Sequence, residues 1–227
     1  MDALKIRNLK KSFSVPGKVG FLPVVDLPEL TLEVGEQAAL SGSSGSGKTT
    51  LLHLIAGILP AESGTIHLGN VEMTGLGEAG RDRLRAGTIG YIFQTFNLLQ
   101  GFTCLENVLL GMSFGKGADR AYAMSLLGRV GLGDRLDYFP RQLSTGQQQR
   151  VAVARAVANR PHLVLADEPT GNLDPTNARQ ALALIRQICT ESKAALLLVS
   201  HDPLVLAGFD RVLSLSQLNR AARKEVE

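Results

Sequence analysis

The 227-residue sequence lacks any apolar run near the roughly 18 to 20 residues that a membrane-spanning helix requires. Residues 1–5 do not begin the basic and apolar pattern of a secretory signal peptide. Internal repeats, low-complexity tracts and obvious linkers are missing as well. We therefore expect a globular chain that stays in the cytoplasm.

Cysteine is scarce and charge is nearly balanced. The two cysteines, Cys104 and Cys189, lack metal-ligand or redox spacing, so we interpret both as ordinary apolar positions. The formal net charge is +3 and the basic residues are scattered among acids, so we expect no nucleic-acid partner. With 44% apolar and 20% charged residues, the composition fits one large domain, or a domain with a subdomain. We expect the charged tail, residues 220–227, to fray.

The most informative stretch that is present is a glycine loop between a short apolar run and a helix-like segment. Its residues are Gly42, Ser43, Ser44, Gly45, Ser46, Gly47, Lys48 and Thr49, followed by Thr50. Glycines let backbone N–H groups approach a nucleotide's phosphates, and the N-terminus of the following helix adds its positive dipole end. Lys48 would neutralise the β- and γ-phosphates, and the Thr49 hydroxyl would bind Mg²⁺. A plain strand-to-helix connection would explain neither the Lys-Thr pair nor the spacing.

The pattern along the chain predicts an α/β fold with a mostly parallel sheet. Residues 4–7 and 30–34 alternate apolar with polar side chains, which predicts an N-terminal antiparallel β layer. Residues 88–93, 163–166 and 195–199 are compact apolar runs typical of buried parallel strands. Between 95 and 142 the sequence predicts helices broken by glycines, which we interpret as a helical subdomain inserted into the core.

Residues that can bind a metal ion or transfer a proton follow the predicted parallel strands. Open parallel sheets bind their ligands at this edge, beyond the carboxyl ends of the strands. Asp167 and Glu168 come directly after residues 163–166, so Asp167 can bind a metal ion while Glu168 polarises a water for attack on the γ-phosphate. Gln94 ends the 88–93 run and can contact the metal or the water, and His201 follows the 195–200 run and can donate to the γ-phosphate. The alternatives are surface acids, a solvated glutamine and a structural histidine at the ends of strands.

Three helix starts have capping sequences. Ser144 and Gln147 have the spacing of a capping box, and Asp174 and Asp202 each precede a proline at a predicted first helical position. Gly146 keeps the first of these helix N-termini sterically open, as an anion requires. Capping and function are compatible interpretations here.

Together these motifs resemble the ATPase subunits of ABC transporters over essentially the whole chain, residues 1–227. The most specific element is the signature Leu143-Ser144-Thr145-Gly146-Gln147, which other phosphate-loop ATPases lack. The resemblance implies ATP and Mg²⁺ as ligands. It assigns phosphate to Lys48, metal to Thr49, Gln94 and Asp167, the general base to Glu168, the γ-phosphate switch to His201, and communication between paired sites to Asp174. Phe13 matches the aromatic residue that stacks on adenine, although a strand-end core aromatic is the alternative.

In this family two subunits pair head to tail, so the signature of one copy covers ATP held by the glycine loop of the other. The resemblance thus implies an ATP-sandwich homodimer, with the signature residues Ser144, Thr145, Gly146 and Gln147 acting in trans. Thr145 departs from the family pattern, which has a second glycine there. We expect activity to survive because Ser144 and Gly146 are both present.

The stretches 91–99 and 105–108 are similar to subunits of lipoprotein-release, macrolide-export and cell-division transporters. Those relatives work with integral membrane permeases, which implies a peripheral place on the cytoplasmic face of the inner membrane and a role in export or extraction. Phe96, Leu98 and Leu99 either line a groove for a permease helix or pack inside the helical subdomain. The competing functions are a soluble ABC ATPase acting on DNA or ribosomes and a nonhydrolysing regulator, which Glu168 and His201 disfavour.

Overall fold

The computed structural model describes residues 1–14 and 20–223 as two β-sheets with helices around them. The strands are β1 Asp2–Ser14, β2 Phe21–Glu33, β3 Gln37–Ser41, β4 Ser63–Leu68, β5 Val71–Glu72, β6 Ile89–Ile92, β7 Leu163–Asp167, β8 Ala195–Ser200 and β9 Arg211–Ser214. The α-helices are α1 Lys48–Ile55, α2 Glu78–Thr88, α3 Cys104–Ser113, α4 Arg120–Arg129, α5 Thr145–Val157, α6 Pro175–Ser192, α7 Pro203–Leu206 and α8 Leu215–Leu218. Short 3₁₀ helices cover Pro140–Gln142 and Arg220–Arg223.

The N-terminal sheet is antiparallel, in the order β2-β1-β4-β5. Alternation in β1 buries Leu4, Ile6 and Leu9 on one face, because successive side chains of a strand point to opposite faces. The register between β1 and β2 shifts between Lys11 and Ser12, which marks a β-bulge near the tip of this hairpin. The predicted antiparallel layer is confirmed.

The second sheet is parallel and has the order β6-β7-β8-β3-β9. Every residue of β7 and β8 is buried, as expected for strands covered on both faces. Their carboxyl ends lie at one edge of the sheet together with the end of β3. The predicted α/β fold is confirmed, with small boundary changes: Thr88 ends α2 rather than opening β6, Phe93 lies beyond β6, and β7 and β8 each run one residue further than predicted.

Residues 95–142 form α3, α4 and the first 3₁₀ helix, joined by loops. Phe96 and Leu98 are buried in the same apolar cluster as α5 and β7, so the packing alternative holds for these two residues. Leu99 is 42% exposed and is the one of the three that faces solvent. The loop from Leu99 to Thr103 is held by the buried side chain of Asn107.

The C-terminal segment differs from the expectation. Residues 220–223 form a 3₁₀ helix rather than fraying, because Ala221 is 5% exposed and the segment packs beside β2. The rest of the predicted fraying tail, 224–227, lies outside the described residues. None of the helices in the described part of the chain combines the length and hydropathy needed to span a bilayer.

Candidate functional site

The glycine loop leaves the carboxyl end of β3 and enters α1 through backbone conformations that favour glycine. Gly45 and Gly47 have φ angles of +78° and +91°. A Cβ atom on Gly47 would lie 3.0 Å from both Cγ1 and the carbonyl oxygen of Val24, and one on Gly42 would lie 2.7 Å from the Ser46 hydroxyl. The loop conformation therefore requires glycine at positions 42, 45 and 47.

Lys48 is the first residue of α1 and is only 8% exposed. Its ammonium group folds back over the loop and donates hydrogen bonds of 2.8 Å to the carbonyl oxygens of Gly42 and Ser43. The Ser46 hydroxyl is buried in the same loop without a hydrogen-bond partner. A buried cation beside an unpaired donor at a helix N-terminus fits a phosphate group, which supplies the missing acceptors.

Asp167 ends β7 at the edge of the sheet beside the glycine loop. Burial raises the pKa of its carboxyl group, whereas the hydrogen bond from the Thr49 hydroxyl lowers it. Hydroxyl and carboxylate oxygens are ligands that Mg²⁺ prefers. The oxygens of Thr49 and Asp167 therefore fit a magnesium ion.

Glu168 follows β7 in a left-handed conformation, with φ of +43°, that non-glycine residues rarely adopt. Its backbone N–H donates to the carbonyl oxygen of Val199, 3.0 Å away, which fixes this turn. The side chain reaches Nδ1 of His201 at 2.8 Å and the ammonium of Lys48 at 3.9 Å through Oε1, and Ser200 Oγ lies 3.4 Å from Oε2. Backbone strain at a position with these side-chain contacts is typical of a functional site.

A cleft of about 460 Å³ gathers most of the predicted site. Its lining residues are Val24, Ser43, Ser44, Gly45, Gly47, Lys48, Thr49, Thr50, Gln94, Asp167, Glu168 and His201. Among the residues that the structure describes, the predicted site residues that do not line this cleft are Phe13, Gly42, Ser46, Asp174 and the signature residues 144–147. One chain thus assembles the loop, the carboxylates and the strand-end histidine, but not the signature.

Gln94 follows β6 and lies beside the loop that precedes α6. The Asn172 side chain donates a hydrogen bond of 2.8 Å to the Gln94 carbonyl oxygen. A Cβ atom on Gly171 would lie 3.4 Å from Nε2 of Gln94. The loop before α6 therefore contacts the segment that connects β6 to the helices of residues 95–142.

The signature stands at an open helix N-terminus. Ser144 caps α5 as predicted, because its hydroxyl accepts from the Gln147 N–H and the Gln147 side chain accepts from the Ser144 N–H. Ser144 and Thr145 are exposed. The capping groups leave this surface free toward solvent, where a second molecule can reach it.

Asp174 belongs to the same surface as the signature. It caps α6 as predicted and accepts hydrogen bonds from the N–H groups of Thr176 and Asn177. Bonds from Asn177 lower the pKa of the Asp174 carboxyl group. A Cβ atom on Gly146 would lie 3.0 Å from the Asn177 side-chain oxygen, so Asn177 connects Asp174 to the signature.

Phe13 lies in β1 opposite Leu22, beyond the bulge of the hairpin. Phe13 is 39% exposed, and the Lys11 ammonium lies over its ring, 5.5 Å from the ring centroid. This exposure argues against the alternative of a core aromatic.

Sequence reasoning missed three contacts that shape the site. Val24 lies against Gly47 from a distant strand, and nothing in its sequence neighbourhood signals this. Ser200 ends an apolar run and belongs to no motif, although its hydroxyl reaches Glu168. Asn177 carries no motif, and its contact with Gly146 depends on how α5 and α6 pack.

Comparison with known proteins decides the family. A family profile described as ABC transporter matches residues 25–171. The chain belongs to the ABC transporter family. It is 44% identical over 217 residues to the lipoprotein-releasing system ATP-binding protein LolD of Pseudomonas syringae pv. tomato, which covers 93% of this chain and 94% of that protein.

Two further similarities extend this result. The macrolide export ATP-binding/permease protein MacB of Rhodopirellula baltica is 45% identical over 217 residues, or 93% of this chain and 31% of that protein. The dimeric post-hydrolysis structure of the ATP-binding cassette MJ0796 bound to ADP and Pi matches with a TM-score of 0.85 at 31% identity, covering 96% of this chain and 95% of that chain. The chain is an ATP-binding ATPase subunit of an ABC transporter, as predicted, and the alternative of action on DNA or ribosomes gains no support.

Proposed function

We propose that this subunit hydrolyses ATP as a head-to-tail pair with a second copy, on an integral membrane permease. The observation that carries the proposal is the position of Glu168 between Lys48 and His201, in a cleft that the chain's own signature does not line. The triphosphate of ATP fits the glycine loop, where Lys48 and the loop N–H groups meet it.

Each polar group at the cleft has a proposed task. Glu168 accepts a proton from the water that attacks the γ-phosphate, and His201, whose Nδ1 lies 2.8 Å from the Glu168 carboxylate, donates to the γ-phosphate. Gln94 orients the water. Thr49, Asp167 and Gln94 would hold Mg²⁺, which neutralises charge on the phosphates when it is bound.

The second copy supplies the groups that one chain does not bring to the cleft. Ser144 and Gly146 of each copy would contact the γ-phosphate held by the other, flanked by Thr145 and Gln147, while Asp174 links the two sites. The dimeric MJ0796 structure, whose ligands are ADP and Pi, supports this pairing. Phe13 would stack on the adenine.

The names of the relatives support a permease partner and a role in lipoprotein release or export. We propose that the whole chain, 1–227, is one ATPase domain, in which 95–142 form a helical subdomain that docks the permease through exposed Leu99. This would place the protein peripherally on the cytoplasmic face of the inner membrane.

Affinity purification from detergent-solubilised membranes tests the proposal. We expect the chain to recover a multispanning permease with a large extracytoplasmic domain, and the recovered complex to hydrolyse Mg-ATP. The matched Lys48→Ala protein should recover the same permease without hydrolysis, because every contact that its ammonium group makes lies in the glycine loop and the cleft. Recovery of ribosomes or DNA in place of a permease would overturn the proposal.

A further inference from the structure

Asn219 lies at the edge of the antiparallel sheet, far in sequence from the glycine loop of residues 42–49. It is 1% exposed and follows α8. Its side-chain oxygen accepts from the Asp26 N–H, and its side-chain nitrogen donates to the Val24 carbonyl oxygen, both at 2.8 Å. The oxygen also accepts from the Ala221 N–H at 3.2 Å.

These bonds take the place of a neighbouring strand. The sheet has β2 at its edge, so the outward N–H and C=O groups of β2 lack a strand partner. A carboxamide presents one acceptor and a donor side by side, as a peptide group does. The Asn219 side chain thus pairs Val24 and Asp26 as a single residue of an additional strand would.

The pairing falls at the bulge of the β1–β2 hairpin. Val25 pairs with Lys11, but Pro23 pairs with Ser12, so Val24 lies at the register shift. A bulge disrupts the ladder locally and bends the strand that contains it. The hydrogen bond from Asn219 therefore fixes the orientation of Val24 where the hairpin ladder does not. Phe13 lies on the next stretch of this hairpin.

The same Val24 carbonyl also lies against the glycine loop. It would be 3.0 Å from a Cβ on Gly47, and the Val24 side chain lines the cleft. At the start of the loop, Leu215 of α8 is fully buried, and its Cβ would lie 3.4 Å from a Cβ on Gly42. The segment that carries Asn219 thus contacts the loop at Gly42 directly and at Gly47 through Val24.

We infer that Asn219 is a positioning residue for ATP, because its side chain fixes Val24 and the bulge and so sets the spacing between Phe13 and the glycine loop. This inference rests on the proposed binding of ATP to residues 42–49. Adenine and triphosphate must be held at a fixed separation, so a loose bulge weakens binding more than it slows the chemical step. Asn219 itself touches neither group.

Steady-state kinetics of Asn219→Ala tests the inference. We expect the KM for ATP and the Kd for ADP to rise about fivefold, as loss of a net hydrogen bond predicts, with kcat changed less than about twofold. The control is Asn70→Ala, an exposed asparagine in the turn between β4 and β5, which should leave KM, Kd and kcat unchanged. An unchanged KM in folded Asn219→Ala protein would overturn the inference.

A second variant covers the case in which the alanine protein fails to fold. Asn219→Ser is uncharged and keeps one polar group, but a single hydroxyl cannot occupy the positions of both carboxamide atoms, so it cannot pair Asp26 and Val24 together. We expect it to fold and still to raise KM and Kd, whereas a purely structural role would lower the Tm and leave both constants unchanged. Failure of the unaltered chain to bind ATP would refute the proposed function. Normal binding by both variants would refute this inference alone.

Discussion

Glu168 Oε1 lies 2.8 Å from Nδ1 of His201, and the same oxygen lies 3.9 Å from the Lys48 ammonium. The carboxylate thus lies between His201, which directly follows β8, and Lys48, the first residue of α1. Its side chain is only 12% exposed, so few waters compete for it. This arrangement suits a base that acts on a single positioned water.

Glu168→Gln should bind ATP but hydrolyse it at least about 100-fold more slowly, the lower range for loss of a general base. The amide keeps the size of the side chain and can still contact His201, but it cannot accept a proton. Turnover and ATP binding are measured on the same preparation. Exposed Glu29→Gln in β2 is the control and should behave as the unaltered chain. Near-normal turnover of Glu168→Gln would remove the base assignment.

Gly90→Ala should lower the free energy of unfolding by about 1 to 3 kcal/mol, the usual cost of overpacking a core. The new Cβ would lie 2.4 Å from the Ala156 carbonyl oxygen in α5, and a backbone atom inside a helix has little room to move. Urea denaturation measures the effect. The matched control is Gly87→Ala in α2, whose Cβ meets nothing within 4 Å and which should be neutral or slightly stabilising. If both variants were equally stable, the close contact between Gly90 of β6 and Ala156 of α5 would be contradicted.

Asn107→Ala should destabilise the chain by about 1 to 3 kcal/mol, because it removes the partners of the Leu99 N–H and the Phe102 carbonyl oxygen, both part-buried. Asn107 is fully buried; it donates to the carbonyl oxygens of Leu99, Phe102 and Thr103 and accepts from the Leu99 N–H. Chemical denaturation provides the measurement, with exposed Asn70→Ala as the control. A loss no larger than the control's would mean that the loop from 99 to 103 keeps its conformation without Asn107.

The sequence could predict those site residues whose roles depend on the pattern of residues immediately around them. Lys48, Asp167 and Glu168 each stand at a strand or helix end that apolar runs mark, and parallel strands bring such ends to one edge. The cap of α5 at Ser144 was equally local. Resemblance then connected these positions to one family.

Contacts between distant segments could not be predicted in this way. The bond between Asn219 and Val24 joins residues 195 positions apart, and neither residue has a motif. The prediction that residues 220–223 fray was wrong because their charge concealed the packing of Ala221 beside β2. Leu98 and Leu99 look alike in sequence, yet one is buried and the other exposed, since this depends on the conformation that Asn107 imposes on the loop.

We propose that each ATP site combines the glycine loop of one copy with the signature of the other. Mixing Ser144→Arg with Lys48→Ala protein tests it directly. In Ser144→Arg the long cation would block the helix N-terminus that we propose to face the partner's nucleotide, so this variant should bind ATP as a monomer without hydrolysing it. Lys48→Ala lacks the phosphate contact and should also be inactive alone.

A mixed dimer of these two variants contains one site in which both Lys48 and Ser144 are intact. We therefore measure ATP hydrolysis across mixing ratios and expect a maximum near equal amounts, at up to about one quarter of unaltered activity if sites act independently and exchange is complete. Mixtures as inactive as the separate variants would count against independent sites, and full hydrolysis by Ser144→Arg alone would contradict composite sites.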